Sequence, residues 1–515
     1  RSTPIWLSLK PILFSGMRYL LTLFTLSVLL LAGACKKGFE GERNPLSPPE
    51  TFMAIDTIFR TGENRLTTTV TANWWATSKG GFIKGYEVSV DNGSSWKYTT
   101  AQDSTFLLDI PPGKDTADVI ILVRAIDNLG QSDPTPASSL FPVKNSAPTV
   151  SFVFSQVIAG IPSSNPTNVF PVIRYSITGI DPDGETLQNY ELFINDTNGT
   201  PFILPGSTTS FMLVSENPKS DSSTCSVFVG NASKALDEKI SFIRQGTFNT
   251  IYIRAVDKAL SKSKFSAAPR IWVKKQSSDV LFINAYNTSK NFVQNFYLQR
   301  LAALGVNKVD TMQATEVISS NYTQLQPDVL TQTRTFALFK KIIWVGDDAS
   351  FTLSLGQRST ASFFDAGGKM YLAVSINSSF DPLSNFLDWT PIRNLVNPPS
   401  GSVFRVDNNA IVNPVNPKWP RIKSSQIIPS ARPFELPEAT PTVGFDSLYA
   451  GGIIESKAGQ SPAPWTGKST VIAKRWSKSN NQTNFVISSI PLERFNANNN
   501  MDSVFKEIFI NQLGF

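Results

Sequence analysis

The sequence predicts a multidomain β plus α/β chain: two antiparallel β-sandwiches followed by a three-layer α/β domain with a mostly parallel sheet. Three observations predict it. From about residue 50 the chain runs in short alternating segments broken by turn residues. The pattern of that block returns in a second one. After residue 278, alternation gives way to continuous apolar runs separated by segments of helical spacing.

Ahead of these blocks, Arg18 is followed by an uncharged, largely apolar run over residues 19–31, then by Ala32, Gly33 and Ala34 directly before Cys35. That order is the layout of a secretory signal peptide over residues 17–34, so export is expected. With small residues abutting a cysteine, the segment resembles a bacterial lipoprotein signal with its lipobox, Ala32 standing where that family usually has Leu. The resemblance implies lipidation at Cys35, a membrane partner through the lipid anchor, and a cell-envelope location as an outer-membrane lipoprotein facing the periplasm or the surface. An uncleaved anchor needs about 20 apolar residues, which this run reaches only with its small residues counted. Residues 1–16 precede the first methionine and are set aside as an upstream, non-native segment. Residues 35–49, with Lys36, Lys37, Gly38, Pro45, Pro48 and Pro49, read as a lipidated flexible tether.

At 515 residues the chain exceeds a single core, and the part after Cys35 predicts about three domains. The net charge of +7 includes Arg1, Lys10 and Arg18, and subtracting those three leaves +4 after Cys35, too dilute for a nucleic-acid partner. Only two cysteines are present, so with Cys35 lipidated Cys225 has no partner and stability rests on cores rather than disulfides. The histidine count is zero, which excludes Ser-His-Asp and Cys-His arrangements and any His-based zinc site. Carboxylate, lysine and tyrosine chemistry stays open, and no cofactor is expected.

In residues 50–145, Val70, Ala72 and Trp74 alternate with Thr69, Thr71 and Asn73; Tyr86 and Val88 mark a second strand closed by Asp91-Asn92-Gly93, and residues 119–125 a third. The alternation places Trp74 in the core and Trp75 on the opposite face. In residues 146–275, Asn189-Tyr190-Glu191-Leu192 answers Gly85-Tyr86-Glu87-Val88, and Ile251-Tyr252-Ile253-Arg254-Ala255-Val256-Asp257 answers Ile121-Leu122-Val123-Arg124-Ala125-Ile126-Asp127. Tyr86 and Arg124 are 38 positions apart and Tyr190 and Arg254 are 64 apart, so the second copy carries 26 extra residues. They are assigned to a loop at 215–236 that holds Cys225. These strand motifs resemble the fibronectin type III family, an Ig-like sandwich.

From residue 276 the period changes. Val280-Leu281-Phe282-Ile283-Asn284 is followed by Phe292, Phe296, Leu301 and Leu304 near helical spacing, then by Ile342-Ile343-Trp344-Val345. A helix over 352–365 stops at Gly367-Gly368 before Met370-Tyr371-Leu372-Ala373-Val374. A long insertion over about 388–466 precedes strands at 470–476 and 484–489 and a terminal helix over 501–513, capped by Gly514. Phe363-Phe364-Asp365-Ala366-Gly367-Gly368-Lys369 and Val486-Ile487-Ser488-Ser489-Ile490-Pro491-Leu492 resemble the class I glutamine amidotransferase-like superfamily, with its flavodoxin-like layout. Catalytic members place a cysteine in the elbow after the Gly-Gly strand and a histidine later. Here that elbow reads Ala373-Val374-Ser375-Ile376-Asn377, so the domain is degenerate and the activity does not carry over.

Ligands of open α/β sheets bind at the carboxyl ends of the strands. Those ends offer Asn284, Tyr286, Asp347, Asp348, Ser375, Asn377 and Glu493, with Asp347 and Glu493 as the pair able to act as acid and base or to grip a hydroxylated ligand. The plainer reading is polar loops, with Asp347 or Asp348 as a helix cap. Asp181, Asp183 and Glu185 have spacing suited to calcium, although Asp-Gly there is first a turn signal. Trp75, Trp96 and Tyr98 are candidate sugar-stacking residues. The function expected is a non-catalytic, envelope-anchored binding or scaffold lipoprotein presenting its α/β domain to a glycan or envelope protein. The domain set resembles lipoproteins common in Bacteroidetes. Alternatives are a carboxylate-dependent hydrolase of polysaccharide or peptide, and an accessory subunit of an outer-membrane complex.

Overall fold

The computed structural model describes residues 47–54, 69–154, 157–158, 161–162, 167–184, 186–314, 323–324, 328–347, 356–376, 380 and 386–515. Cys35, Glu185, Asp348 and Asn377, together with the expectations for residues 1–46, lie outside the described residues. The chain divides into two compact units, Arg1–Asn145 and Ser146–Phe515.

In the first unit, β1 (Glu50–Ala54), β2 (Thr69–Thr77) and β5 (Asp103–Leu107) form one antiparallel sheet in the order β1-β2-β5. The other, in the order β4-β3-β6-β7, consists of β3 (Ile83–Ser89), β4 (Lys97–Thr99), β6 (Thr116–Asp127) and β7 (Ala137–Lys144). Period two sets the layering: Val70, Ala72 and Trp74 face Ile121, Val123 and Ala125 in the core, whereas Trp75 stays 46% exposed. The turn after β3 is built by its own residues. Asn92 and Gly93 take φ of 56° and 87°, which Asn and Gly tolerate best. Asp91 accepts from Ser89 Oγ and from Ser95 Oγ and N, bonds that hold its carboxyl down at about 2.

The second unit starts with a sandwich of the same strand order. β8 (Thr149–Val153), β9 (Val172–Ile180) and β12 (Ser210–Ser215) correspond to β1, β2 and β5, and β11-β10-β15-β16 corresponds to β4-β3-β6-β7. These last are β10 (Asn189–Ile194), β11 (Phe202–Pro205), β15 (Ile251–Val256) and β16 (Ser266–Ala267). The repeat extends to an ion pair across the β3–β6 register, Glu87 with Arg124 at 2.7 Å, which recurs as Glu191 with Arg254.

The 26 extra residues correct an expectation. They are not a loop: β13 (Ser222–Val229) and β14 (Lys239–Arg244) extend the first sheet to five strands, in the order β14-β13-β12-β9-β8. Cys225 lies within β13, opposite Ser215 of β12 and Ile240 of β14, fully buried. Burial pushes its thiol up to about 12, which makes it inert. The polar run 216–224 hides a strand start, since Ser223, Cys225 and Val227 alternate inward from its end.

The continuous apolar runs become strands buried on both faces. Thr323–Gln324, β18 (Asp310–Gln313), β17 (Val280–Ala285), β19 (Lys341–Gly346), β20 (Lys369–Val374) and β23 (Thr483–Ser488) pair in parallel in that order. The sheet continues antiparallel through β22 (Thr470–Ser477) and β21 (Val443–Ala450). The insertion before β22 therefore carries sheet strands of its own. Alternation splits the apolar residues between two cores. Val280, Phe282, Val345 and Tyr371 pack with Val293, Tyr297 and Leu301 of α1 (Lys290–Ala303) and with Phe505 and Phe509 near the C-terminus. Leu281, Ile283, Ile342 and Trp344 pack with Phe336 of α2 (Val329–Phe336) and Phe363 of α3 (Ala361–Asp365).

One expected helix is broken: of 352–365, residues 352–355 lie outside the described ones, and the rest forms a helical turn at 356–359, a break at Thr360 and the five-residue α3. The terminal helix starts as α4 (Met501–Phe505) and continues as a π-helix over Lys506–Gln512. The Gly-Gly stop has a steric reason: Gly367 takes φ of 83°, and a Cβ on Gly368 would lie 2.5 Å from the Phe363 ring.

Within this unit the sandwich is joined to the parallel sheet by apolar packing. Phe170, two residues before β9, lies in the same core as Leu281 and Ile342, edge-on to Phe339 with centroids 5.0 Å apart. Val172, Met212 and Phe228 pack against Leu338. Arg334 donates to Ser233 O at 3.0 Å and lies over the Phe228 ring.

Candidate ligand-binding edge of the parallel sheet

The carboxyl ends of β17, β19, β20 and β23 bring part of the expected set together. β17 runs out through Asn284 into Tyr286, and after β23 Pro491 starts a 3₁₀ turn over Leu492–Arg494 that carries Glu493. The Tyr286 hydroxyl donates to Glu493 Oε1, joining two residues 207 positions apart, and both side chains are buried. Glu493 Oε2 is buried without a hydrogen-bond partner among the described residues. Burial pushes the Glu493 carboxyl up, opposed by the Tyr286 bond and nearby Arg494 and reinforced by Asp347. Burial and the Glu493 charge likewise drive the Tyr286 phenol up.

Asp347 follows β19 and, among the described residues, is bonded to Asn287. Its Oδ2 accepts from Asn287 N at 2.9 Å and its Oδ1 from Asn287 Nδ2 at 3.1 Å, pinning the loop after β17. Asn284 is fully buried and structural: Nδ2 donates to Lys290 O at 2.9 Å, and Oδ1 accepts from Tyr286 N at 3.2 Å. Ser375 is half-buried, its backbone N donating to Gly346 O at 3.3 Å. Tyr297 and Tyr371 are fully buried, ring centroids 6.2 Å apart; burial pushes both phenols up, and the Glu493 charge adds to the rise in each. The sequence placed Tyr371 in a buried run and did not single out Tyr297; the charge of Glu493 ties both to this edge. Asn287 was missed too, and an Asn beside a predicted site tyrosine was the signal available.

This edge can present a buried carboxylic acid and hold a hydroxyl, as it holds that of Tyr286. Because burial raises the Glu493 pKa above its unfolded value, the stability of the protonated acid is full below the unfolded pKa and is lost as pH rises through the folded one. Glu493→Gln keeps the acceptor for Tyr286 but cannot ionise. The variant is expected to melt higher than the parent at about pH 8, with the gap closing below about pH 4. Melting curves across that range check it; a gap independent of pH would show that Glu493 is not a buried acid under strain.

The other candidates scatter. Asp183 Oδ2 accepts from Ser146 N at 2.6 Å and Oδ1 from Ser146 Oγ at 3.1 Å, while Asp181 Oδ1 accepts from Asp183 N at 2.9 Å. These carboxylates build a turn, and among the described residues no three acidic, Cys or His side chains gather to hold a metal. In the first unit, Trp96 and Tyr98 line a groove of about 510 Å³ with Trp74 and Phe106. One Trp96 face is already covered by Arg124, 4.1 Å from the ring centroid. Trp75 lies outside that groove, stacked on Phe52 at 5.7 Å. No helix among the described residues is long and apolar enough to cross a membrane.

No known family matches the sequence, and no curated protein does. Among solved structures the chain is similar to the fibronectin(III)-like modules of Clostridium thermocellum CbhA, at 12% identity over 43% of this chain and 94% of that one, TM-score 0.16. It is similar to a two-domain fibronectin type III segment of chicken tenascin, at 11% identity over 44% of this chain and 100% of that one, TM-score 0.20. A third similarity is to a bacterial ice-binding adhesin, at 13% identity over 47% of this chain and 71% of that one, TM-score 0.16.

Proposed function

We propose that this chain is a non-catalytic binding lipoprotein of the cell envelope. Anchored through Cys35, it uses two fibronectin type III-like modules as a spacer and presents a degenerate amidotransferase-like domain to a glycan or an envelope protein. The observation that carries this reading is the commitment of both expected acids to their own chain, Asp347 to Asn287 and Glu493 Oε1 to Tyr286. The absence of histidine, and of any cysteine besides Cys35 and Cys225, supports it. The apolar joint between the second sandwich and the parallel sheet suits a spacer that fixes the orientation of what it carries.

One observation favours a second reading, a carboxylate-dependent hydrolase: Glu493 Oε2 has no hydrogen-bond partner among the described residues, and burial pushes its carboxyl pKa up. Turnover on a panel of glycans and peptides separates the two. Binding without turnover is expected; turnover lost in Asp347→Asn and Glu493→Gln would overturn the binding reading. For the anchor, labelled palmitate is expected to enter the parent protein and not Cys35→Ser, which should leave the membrane fraction. Retention of Cys35→Ser in that fraction would count against a lipid anchor.

A further inference from the structure

A second cleft lies at the other end of the sheet. Arg475 on β22 pairs in register with Phe485, at the amino-terminal end of β23, whereas Glu493 follows the carboxyl end of that strand. The Arg475 guanidinium lies over the rings of Phe364, at 4.4 Å from the centroid, and Phe485, at 5.2 Å. Nε donates to Asn484 Oδ1 at 3.0 Å and Nη1 to Trp389 O at 3.4 Å. A guanidinium has five N–H donors in a planar fork, so the Nη2 pair and one Nη1 donor have no acceptor among the described residues. Among the described residues no acid pairs with it, and burial pulls Arg475 down to about 10.

Arg475 opens on a cleft of about 570 Å³, within the range of small-ligand sites. Its walls include Phe445 and Pro437, and its rim carries Asp388, Arg393 and Glu438. The rim cation is already matched, Arg393 to Glu438 at 2.9 Å, and Asp388 takes the amide of Gln357 at 3.3 Å. Arg475 is thus the cation of this cleft without a counter-ion among the described residues. A free fork over an apolar wall fits a carboxylate bidentately. Two rim carboxylates repel a multiply charged anion yet accept hydrogen bonds from hydroxyls. We propose that this cleft binds a uronate, a hydroxylated sugar acid whose carboxylate meets the free Arg475 donors, whose C–H face lies on Phe445 and Pro437, and whose hydroxyls donate to Asp388 and Glu438. The site stands apart from the Glu493 edge and does not depend on lipid anchoring.

Calorimetric titration of the full chain in detergent with glucuronate, glucose and sulfate tests it. Saturable glucuronate binding is expected, with glucose and sulfate each weaker by about tenfold or more. Arg475→Lys keeps the charge and loses the fork, and should weaken glucuronate about tenfold. Since Arg475 also packs on two rings, a rim variant is the control for folding. Glu438→Lys, at an exposed position, removes one acceptor of the sugar hydroxyls and one of the two rim carboxylates that repel a multiply charged anion, so it should raise the affinity for sulfate relative to glucuronate without lowering the melting temperature. Sulfate binding as tightly as glucuronate, unchanged affinity in Arg475→Lys, or no saturable glucuronate binding would each overturn the proposal.

Discussion

Trp74→Ala is expected to unfold the first unit at a far lower temperature than the parent. Trp74 is 1% exposed, its Nε1 donates to Ala101 O at 3.0 Å, and its ring lies 6.3 Å from Tyr86 and 6.2 Å from Phe106, centroid to centroid. It is the largest fully buried side chain of a small sandwich, so no neighbour is big enough to refill the space. Truncating a buried aromatic costs about 3–5 kcal/mol, a large part of the 5–15 kcal/mol typical of a domain. For about 100 residues each kcal/mol shifts the melting point by roughly 4–8 °C, so a fall of about 15–30 °C is anticipated. Calorimetry of the full chain reads this directly, the transition of Ser146–Phe515 serving as internal reference. Trp75→Ala, half-exposed and stacked only on Phe52, should cost about 1 kcal/mol or less. Equal losses in the two variants would refute the assignment of Trp74 as the core of the sandwich.

The second large effect is expected at Phe170. Its ring is 1% exposed, edge-on to Phe339 and 5.1 Å from Lys274 Nζ, inside the core shared with Leu281 and Ile342. Phe170→Ala removes about 3–5 kcal/mol of packing from the joint between sandwich and parallel sheet. What remains includes the smaller Leu338 cluster, the Arg334–Ser233 bond, the Lys274–Asp310 pair at 3.4 Å, the Lys219–Asp279 pair at 2.6 Å, and an Arg174–Asp328 pair at 3.9 Å that is partly open to solvent and worth under about 1 kcal/mol. The single transition of the second unit should then split in two, and protease should gain access to residues 274–279. A transition that falls without splitting would show that the joint is not what couples the two halves.

Much of the fold was legible because it is carried by local periodicity. Alternation at Val70, Ala72 and Trp74 specified an inward face, and its recurrence around Tyr190 and Arg254 announced a second sandwich. The unbroken runs 280–284 and 342–345 announced strands buried on both sides. The edge pair Tyr286 and Glu493 was reachable because topology places strand ends together. The misreadings have a common cause. Ser, Thr and Asn between 217 and 224 look like a loop, yet from Ser223 onward half of the residues point into a core that only the neighbouring strands create. The break at Thr360 inside the helix expected over 352–365 was missed because apolar spacing reports a buried face and not where the backbone breaks.

Composition and periodicity alone therefore determined the order of alternating sandwich strands before fully buried strands, the inward tryptophan and the exclusion of histidine chemistry. Each is a property of single residues or of their spacing. Tertiary structure decided that Asp347 serves Asn287, that Glu493 holds Tyr286 with one oxygen and finds no partner for the other among the described residues, that Cys225 is sealed in a strand, and that Arg475 lies half-buried with no counter-ion among the described residues. Those are facts about which groups share a low-dielectric neighbourhood, and that neighbourhood is made by segments far apart in the chain.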